Sequence, residues 1–365
     1  MRVLIVTAGS RGDVAPFTGL GQRLERAGHR VALAAHDRFA DLVRSAGLEF
    51  RSLPGDPVQL VRARTAAPSP EAARSVFAGF LDELGDGVVA AVAAGTDIVL
   101  TAFGPAPLSR AVADGSGLPS AGVYLAPAPG APSGSLYADV LRRLDLPQVP
   151  GDRPIRYGFS PAVVPRPADW PASAQMAGYW WPAVPPGWQP PEPLVEFLAA
   201  GPPPVFVGFG SMTPDHERLP DVVAAAVKRA GVRAVVQSGW AELGPAGDDV
   251  LVVGDLPHEW LFPRTAAVVH HAGAGTTGAG LRAGVPAVPV PVLVDQPFWA
   301  DRLHRLGVAP PPLPMTDLSA DSLADALRSV LDRPSYRDRA AELGHRIRAE
   351  DGAAAVLALI TRLSR

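Results

Sequence analysis

The sequence predicts an α/β protein in which two domains of similar build each contain a parallel sheet. An apolar run at residues 2–7 leads through a Gly-rich loop into an amphipathic helix that ends near residue 27, and a second apolar run follows. Strands that alternate with helices in this way run parallel. The pattern restarts at residue 204 with PVFVGFGSM. The length of 365 residues is enough for two domains of ordinary size.

Further elements follow from the spacing of apolar residues. In the first half, apolar runs predict strands at residues 28–35, 48–54, 97–104 and 119–127, and helices are predicted at residues 70–94 and 136–144. In the second half, strands are predicted at residues 232–240, 249–255 and 266–271, and helices at residues 217–230, 257–262, 296–306, 319–331 and 334–363.

The segment between the two halves has a different composition. Of the 41 prolines and seven tryptophans in the chain, thirteen prolines and four tryptophans lie between Pro161 and Pro204. Proline favours extended, semi-rigid backbone, and the tryptophans indicate that the segment packs on its surroundings. We interpret it as a linker that lines a cleft. The expected domains are residues 1–175, a linker at 176–200, residues 201–345, and a C-terminal helix at 346–365 that returns to the first domain.

Composition excludes several classes of function. The net charge of −3 gives no indication of nucleic-acid binding. The absence of cysteine excludes disulfides, thiolate metal sites and thiol nucleophiles. The opening apolar run is too short for a signal peptide, and no apolar run approaches the roughly 20 residues of a membrane span. The expectation is a cytoplasmic protein without an integral membrane segment.

The stretch at residues 268–298 carries the clearest chemistry. An apolar strand ends in HHAGAGTT and enters a helix, so that backbone N–H groups and the helix dipole are directed at one point, where an anion binds well. Asp295 and Gln296 follow the next apolar run, and in a parallel sheet they reach the same edge. An anion cradle beside polar groups that bind hydroxyls indicates a nucleotide-sugar site.

Each part of this stretch also has a purely structural interpretation. Adjacent histidines on a strand point to opposite faces, so at most one of His270 and His271 reaches a ligand, which disfavours a metal site. The Gly/Thr loop is also consistent with an ordinary capped helix, and Asp295 with a cap on the following helix. GFGS at residues 208–211 suits a phosphate, but glycine after a strand also simply makes a turn.

The loop after the first strand is a poor dinucleotide fingerprint. Its glycines, at positions 9 and 12, do not have the G-x-G-x-x-G spacing, which disfavours a Rossmann dehydrogenase. Asp13 is expected near the start of a helix at the mouth of the sheet. From the pattern alone, Asp13 is either an N-cap residue or a functional carboxylate.

Five motifs occur in an order that resembles a known family. GFGSM, PHEWLF, HHAGAGTT, AGVP and DQPFW resemble glycosyltransferase family 1, especially its bacterial antibiotic and natural-product members and the sterol 3-beta-glucosyltransferases. ADWP, GYWWP and GWQPP extend the resemblance through the linker. It implies the GT-B fold: two facing Rossmann-like domains with a cleft, the acceptor bound mostly by the first domain and the nucleotide sugar by the second.

The resemblance also implies roles for individual residues. His271 and the turn after it would hold the diphosphate, Asp295 and Gln296 would bind the sugar, and Leu256 and Trp240 would lie near the base. The full set implied for the diphosphate is Ser10, Gly210, Ser211, His271, Gly273, Gly275, Thr276 and Thr277. Plant members carry a base-stacking tryptophan where this chain has Asp255, which leaves uridine and thymidine both open.

Asp13 is the implied catalytic base. Many members of the family have G-H-x-x-P in this loop, with the histidine as base, whereas this chain has GDVAP, as the antibiotic-type members do. An aspartate, with a reference pKa of about 3.9, cannot deprotonate an alcohol in advance. It can accept the proton as the new C–O bond forms. The implied reaction is a direct displacement with inversion at the anomeric carbon. No Asp-x-Asp motif occurs, which disfavours the metal-bridged donor of the other major glycosyltransferase fold, and no obligatory metal is expected.

The acceptor and several alternatives stay open at this point. An apolar first domain and an aromatic linker favour a hydrophobic small-molecule aglycone, with natural-product biosynthesis as the setting. The alternatives are a sterol- or lipid-type glucosyltransferase, a GT-B relative such as a 2-epimerase or a lipid-linked GlcNAc transferase, and a non-catalytic glycosyltransferase-like partner protein. The motifs disfavour the GT-B relatives, and the intact Asp13, His271, Asp295 and Gln296 disfavour a non-catalytic role. The chain is expected to be a monomer or a homodimer.

Overall fold

The computed structural model of the protein describes residues 1–127, 136–147, 153–210, 218–238, 249–292 and 295–364. The chain forms two units. The first consists of Met1–Pro161, Pro165–Pro186 and Asp351–Arg365, and the second of Ala162–Val164 and Gly187–Glu350. The last segment of the chain therefore belongs to the unit that contains its beginning.

The first unit contains a sheet of seven parallel strands. The strands are β1 (Arg2–Val6), β2 (Arg30–His36), β3 (Glu49–Leu53), β4 (Ile98–Thr101), β5 (Ser120–Tyr124), β6 (Ile155–Tyr157) and β7 (Ala174–Met176), in the spatial order β3-β2-β1-β4-β5-β6-β7. Its helices are α1 (Arg11–Arg26), α2 (Ala40–Ser45), α3 (Pro57–Thr65), α4 (Pro70–Ala93), α5 (Ala106–Gly115), α6 (Ala138–Arg143) and, at the end of the chain, α14 (Gly352–Leu363).

Helices cover both faces of this sheet. Alternate residues of β1 enter two different cores: Val3 and Ile5 pack with residues of α1 and α14, whereas Leu4 and Val6 pack with residues of α4 and α5. This is the period-two alternation of a strand that is buried on both faces.

The second unit contains a sheet of five parallel strands. The strands are β8 (Val205–Gly208), β9 (Ala234–Gln237), β10 (Val250–Val253), β11 (Val268–His270) and β12 (Ala287–Pro289), in the order β10-β9-β8-β11-β12. The helices are α7 (Glu192–Ala199), α8 (Leu219–Ala230), α9 (His258–Leu261), α10 (Ala274–Ala283), α11 (Gln296–Arg305), α12 (Ala320–Asp332) and α13 (Pro334–Arg348). The two cores again divide the strands by alternation, with Val205 and Val207 on one face and Phe206 on the other.

The predicted α/β class with parallel sheets is confirmed, but several short elements were not predicted. Strands β6 and β7 have three residues each, and α3 and α5 lie between predicted elements. Two tryptophans of the Pro/Trp-rich segment pack in the first unit, whereas Trp188 contacts Trp260 in the second unit. Trp170 stacks on Tyr157 with ring centroids 4.1 Å apart, and Trp180 Nε1 donates to the Gly352 carbonyl at 3.0 Å. Among the described residues, no helix is long and apolar enough to cross a membrane.

Candidate functional site

The order of strands in the second unit directs three loops to one edge. From β8 the chain moves outward to β9 and β10, and it returns on the other side of β8 as β11. Strands β8, β11 and β12 end in register at Gly208, His270 and Pro289. Ligands of open parallel sheets bind at the carboxyl ends of the strands, where the strand order reverses. Here that point lies between β8 and β11.

The side chain at this reversal point is that of His271. A β-carbon added to Gly210, which has φ +73°, would come within 2.8 Å of His271 Cε1. One added to Gly273 would come within 2.4 Å of Nε2. The loops after β8 and β11 therefore meet around the imidazole. Gly210 and Gly273, both predicted to bind diphosphate, contact this ring directly.

His271 is a neutral group at physiological pH. Burial lowers its pKa to about 4, and a backbone contact with Gly208 opposes that shift only in part. Nδ1 is buried and has no hydrogen-bond partner among the residues that the structure describes. A neutral imidazole carries one N–H and can donate one hydrogen bond to an anionic oxygen.

His270 has a structural role instead. It is 1% exposed, and its Nδ1 accepts a hydrogen bond from the Ala272 N–H at 3.1 Å. Burial, with His271 next in importance, lowers its pKa to about 3. The two rings are 6.5 Å apart and nearly perpendicular, so only His271 is available at the edge. Within the described ranges, no cluster of His, Cys, Asp or Glu side chains is arranged to hold a metal.

The turn into α10 differs in detail from the expectation. Ala272, rather than a glycine, has the left-handed conformation, with φ +62°. Gly273 is the N-cap residue and makes no side-chain cap, so the N–H groups of the first turn have no partner within the helix. Gly275 is exposed and Thr276 is partly exposed at this turn.

Thr277, which the resemblance assigned to the diphosphate, has a buried side chain in this structure. It is 1% exposed, and its hydroxyl is buried without a hydrogen-bond partner in the described part of the chain. Its N–H bonds to the Gly273 carbonyl at 2.9 Å. In this conformation the hydroxyl points into the protein, and of the two threonines only Thr276 is accessible at the helix start.

Asp295 and Gln296 follow β12 at the start of α11. Asp295 occupies the N-cap position, but its carboxylate does not cap the helix; Oδ2 accepts a hydrogen bond from Trp299 Nε1 at 2.9 Å. The structural alternative of a capping Asp295 is therefore wrong. Burial raises the pKa of Asp295, and the bond from Trp299 opposes this shift. Gln296 Oε1 accepts from the Val292 N–H at 2.8 Å, which orients its amide.

Trp299 is a site residue that sequence reasoning missed. Its indole is completely buried and holds the Asp295 carboxylate. The signal was present in the motif DQPFW, because residues four apart on a helix lie on the same face.

Of the residues predicted near the base, the structure describes Leu256 but not Trp240. Leu256 is partly buried and packs against the core formed by residues such as Phe206 and Leu261. Asp255, at the position of the plant tryptophan, accepts a hydrogen bond from Gln237 Nε2 at 2.9 Å. Ser211 and Trp240 lie outside the described residues.

The first unit has an analogous reversal point between β1 and β4. From β1 the chain moves to β2 and β3 on one side, and it returns as β4 on the other. The loops after these strands are adjacent, since a β-carbon on Gly104 would lie 3.7 Å from the Ala8 carbonyl oxygen. Phe103 in this loop is 38% exposed, which places an apolar surface near the loop that leads to Asp13.

Asp13 is held by the residues that precede α1. Its Oδ2 accepts from the Ser10 N–H at 2.7 Å and from Ser10 Oγ at 2.8 Å. Ser10 is the N-cap residue and Asp13 is the third residue of the helix. The alternative that Asp13 is the N-cap residue is therefore wrong, because the N-cap lies three positions earlier. Thr7 Oγ1 donates to the Asp13 carbonyl at 2.7 Å. The carboxylate thus has a defined orientation at the carboxyl end of β1.

Gly9 is the second residue that the sequence reasoning did not single out. It has φ +140°, and a β-carbon on it would come within 2.4 Å of Asp13 Oδ2. No side chain fits between the backbone at position 9 and the carboxylate.

Two parallel-sheet units, the second with a neutral histidine beside an uncapped helix N-terminus, are the architecture of the GT-B class of nucleotide-sugar glycosyltransferases.

Comparison with known proteins gives the family. Residues 3–98 match the Glycosyltransferase family 28 N-terminal domain, and residues 230–362 match the Erythromycin biosynthesis protein CIII-like C-terminal domain. The chain is 35% identical to an O-mycaminosyltylonolide 6-deoxyallosyltransferase of Streptomyces fradiae, over 96% of this chain and 95% of the relative. It is 32% identical to a sterol 3-beta-glucosyltransferase of Arabidopsis thaliana, over 98% of this chain and 67% of the relative.

Solved structures agree in fold. A glycosyltransferase of Streptomyces sp. SF2575 in complex with thymidine diphosphate superimposes with a TM-score of 0.75 at 24% identity, over 99% of both chains. The calicheamicin glycosyltransferase CalG4 gives a TM-score of 0.75 at 19% identity, over 99% and 98% of the two chains. The chain therefore belongs to the glycosyltransferase family that includes the antibiotic glycosyltransferases and the sterol 3-beta-glucosyltransferases. The predicted resemblance and the GT-B fold are confirmed, and the protein is a nucleotide-sugar glycosyltransferase.

Proposed function

We propose that this enzyme transfers a sugar, with inversion, from a thymidine or uridine diphosphate donor to a hydroxyl group of a hydrophobic small-molecule aglycone. The observation that carries the donor half is the convergence of Gly210, His271 and the start of α10 at one sheet edge. The Streptomyces fradiae relative, by its name, is a 6-deoxyallosyltransferase that acts on O-mycaminosyltylonolide. Three of the similar solved structures contain thymidine diphosphate, which favours thymidine over uridine.

The donor diphosphate is assigned to His271 and the first turn of α10. As the glycosidic bond of the donor breaks, negative charge accumulates on the diphosphate. A neutral imidazole N–H, the N–H groups of Gly275 and Thr276 and the hydroxyl of Thr276 are then the stabilising donors. Hydrogen-bond donors that are already in position stabilise a developing charge without reorganisation. Such electrostatic stabilisation is the largest single contribution to rate enhancement in many enzymes. Ser10, Gly210 and Ser211 stay assigned to the same group.

The transferred sugar is assigned to Asp295 and Gln296. Trp299 Nε1 donates to the Asp295 carboxylate, and the Val292 N–H donates to the Gln296 amide oxygen. These two hydrogen bonds hold both side chains in place. A carboxylate with a raised pKa that still accepts a bond from Trp299 is suited to accept further hydrogen bonds from sugar hydroxyls. Leu256 and Trp240 stay assigned to the base.

Asp13 is the proposed general base. The acceptor hydroxyl attacks the anomeric carbon from the face opposite the diphosphate, and Asp13 accepts its proton while the C–O bond forms. Ser10 fixes the carboxylate through two hydrogen bonds to Oδ2.

The exposed Phe103 supports an apolar acceptor. A sterol is the second candidate acceptor, because the Arabidopsis relative is a sterol glucosyltransferase. Metal independence, a cytoplasmic location and a monomeric or homodimeric state remain part of the proposal.

The test is transfer by the purified enzyme. Thymidine and uridine diphosphate sugars are supplied with and without a metal chelator, and macrolide, polyketide and sterol aglycones are screened by mass spectrometry. Asp13→Asn keeps an oxygen that accepts the Ser10 bonds but cannot take a proton. We expect it to bind nucleoside diphosphate as the wild type does and to lose about 10²- to 10⁴-fold in turnover. Full turnover by this variant, or an α-configured product from an α-linked donor, contradicts the proposal.

A further inference from the structure

A pocket of about 290 Å³ opens on the first unit at a place that the proposed reaction does not use. Its wall comes from the segments that lead into β6 and β7, around Pro154 and Ser173, and from the last turns of α14. Those segments precede their strands, so the pocket lies toward the amino ends of the sheet. Asp13 lies at the carboxyl ends. The two sites are therefore on opposite edges of one sheet.

The described wall of the pocket is cationic. Arg156 and Arg362 both line it, and none of the described lining residues is an aspartate or glutamate. Arg156 is 2% exposed, and its Nη1 donates only to backbone, to the Ile155 carbonyl at 2.9 Å and the Ser173 carbonyl at 3.3 Å. Burial, and then the charge of Arg362, lowers the pKa of Arg156. A buried cation without a counter-charge is costly, and an anionic ligand removes that cost.

Two further polar atoms belong to residues of the pocket wall. Arg156 Nε and Ser173 Oγ are both buried and make no hydrogen bond within the described parts of the chain. Gln175 lines the same wall and lies opposite Arg156 in the β6–β7 register, so the two side chains share a face of the sheet. Guanidinium, hydroxyl and amide groups thus line a single pocket. Guanidinium N–H pairs match the oxygens of phosphate in geometry as well as in charge.

We propose that this pocket binds a phosphate group, as inorganic phosphate or as the phosphate of a small monoester. Two guanidinium groups match the two negative charges of such a group better than the single charge of a carboxylate. The ligand would connect α14, through Arg362, to β6 and β7, through Arg156, Ser173 and Gln175. It would therefore stabilise the C-terminal helix on the first unit, because a ligand that binds only the folded state adds to its stability.

Hydrogen–deuterium exchange of residues 352–363 tests this directly. Sodium phosphate and glycerol 3-phosphate are compared at constant ionic strength with sodium chloride, and isothermal titration calorimetry gives the affinities. Slowed exchange in α14 with phosphate supports the site, and the monoester arm distinguishes free phosphate from a phosphorylated metabolite. Because the readout is local to α14, phosphate bound at the donor edge of the second unit does not produce it.

Arg362→Gln is the decisive variant, since this exposed side chain can be changed without disturbing the core. Loss of one charge-assisted hydrogen bond predicts a roughly ten- to hundredfold weaker phosphate effect on α14. Arg362→Lys keeps the charge and is expected to retain part of the effect. Arg30→Gln is the matched control, because it removes an exposed arginine of the first unit on the distant strand β2. The same protection in Arg362→Gln as in the wild type, or no protection by either phosphate, overturns the proposal.

Discussion

Gly210 lies so close to the imidazole of His271 that a β-carbon at position 210 would come within 2.8 Å of Cε1. The two residues follow different strands, β8 and β11, whose ends are paired in register. Because Gly210 also has φ +73°, its identity is set both by its backbone conformation and by its neighbour. The position of His271 therefore depends on a residue about sixty positions earlier in the chain.

Gly210→Ala is expected to weaken nucleoside diphosphate binding. The substitution displaces His271 and also introduces backbone strain of about 1–2 kcal/mol. Gly231→Ala is a matched control, since Gly231 has φ +65° and a β-carbon there meets nothing within 4 Å. Both variants should lose similar stability in thermal unfolding, and calorimetric titration with thymidine diphosphate should show a loss of affinity only for Gly210→Ala. Equal affinities in the two variants would mean that His271 does not contact the donor.

Gly9→Ala is expected to abolish most of the turnover. A methyl group at position 9 would come within 2.4 Å of Asp13 Oδ2 and must displace that carboxylate. Gly28→Ala has the same kind of strain, with φ +89°, and open space around the added carbon. Initial rates of transfer compare the two. If they fall equally, only the loss of stability matters, and the orientation of Asp13 has no role.

The neighbouring threonines of α10 should differ in their effect on donor binding. Thr276→Val removes an accessible hydroxyl from the helix start, and a lost hydrogen bond to a charged group costs about 1.5–3 kcal/mol in binding. Thr277→Val removes a buried hydroxyl that has no hydrogen-bond partner among the described residues, so donor affinity should be unchanged and stability equal or higher. The dissociation constant for thymidine diphosphate and the midpoint of thermal unfolding decide between the two. A loss of affinity in Thr277→Val would show that the ligand rearranges this turn.

Asp295→Asn should make the protein more stable and less active. Burial raises the pKa of Asp295, so its ionised form is disfavoured in the fold, and its contribution to stability is lost as pH rises through the folded-state pKa. The asparagine variant should therefore have a higher free energy of unfolding at pH 7, with the difference vanishing in acid, where the wild-type carboxyl is also neutral. Its transfer rate should fall, because the sugar loses a charged acceptor. Urea unfolding across the pH range measures the first effect, and an identical curve for both proteins would refute it.

Acid should destabilise the fold through its two adjacent histidines. The pKa falls to about 3 for His270 and to about 4 for His271, whereas the unfolded chain titrates near 6.5. Below pH 6.5 the unfolded state binds more protons than the folded state. The free energy of unfolding therefore decreases as pH falls below 6.5, by up to about 1.4 kcal/mol per pH unit for each histidine. His270→Asn can still accept the Ala272 N–H bond through its amide oxygen. Its unfolding free energy should depend less steeply on pH between 6.5 and 4, and an unchanged slope would exclude His270 as a source of this acid sensitivity.

Much of the fold was predictable from the sequence because its signals are local. Apolar runs such as residues 2–7 and 268–270 are each followed by a Gly-rich loop and a helix. Such short segments predict where strands and helices alternate along the chain, and the alternation predicts that the strands run parallel. The edge at which His271, Asp295 and Gln296 lie follows from that order alone, since parallel strands end at a common edge. The family was likewise determined by five motifs that are each contiguous.

Only the tertiary structure decided which groups these residues contact. Strands β6 and β7 have three residues each, which is too few for an alternation of apolar and polar residues to be recognised in the sequence. They form strands only because a neighbouring strand is present to pair with each of them. The rotation of α10 buries the hydroxyl of Thr277 and leaves Thr276 accessible, although the two threonines are adjacent in sequence. The sequence by itself determined the two parallel sheets and predicted the edge that is proposed to bind the donor, because both depend on local periodicity. The close contacts of Gly210 and Gly273 with His271, of Gly9 with Asp13 and of Arg156 with Ser173 were decided by packing, because each depends on the three-dimensional position of its partner's atoms.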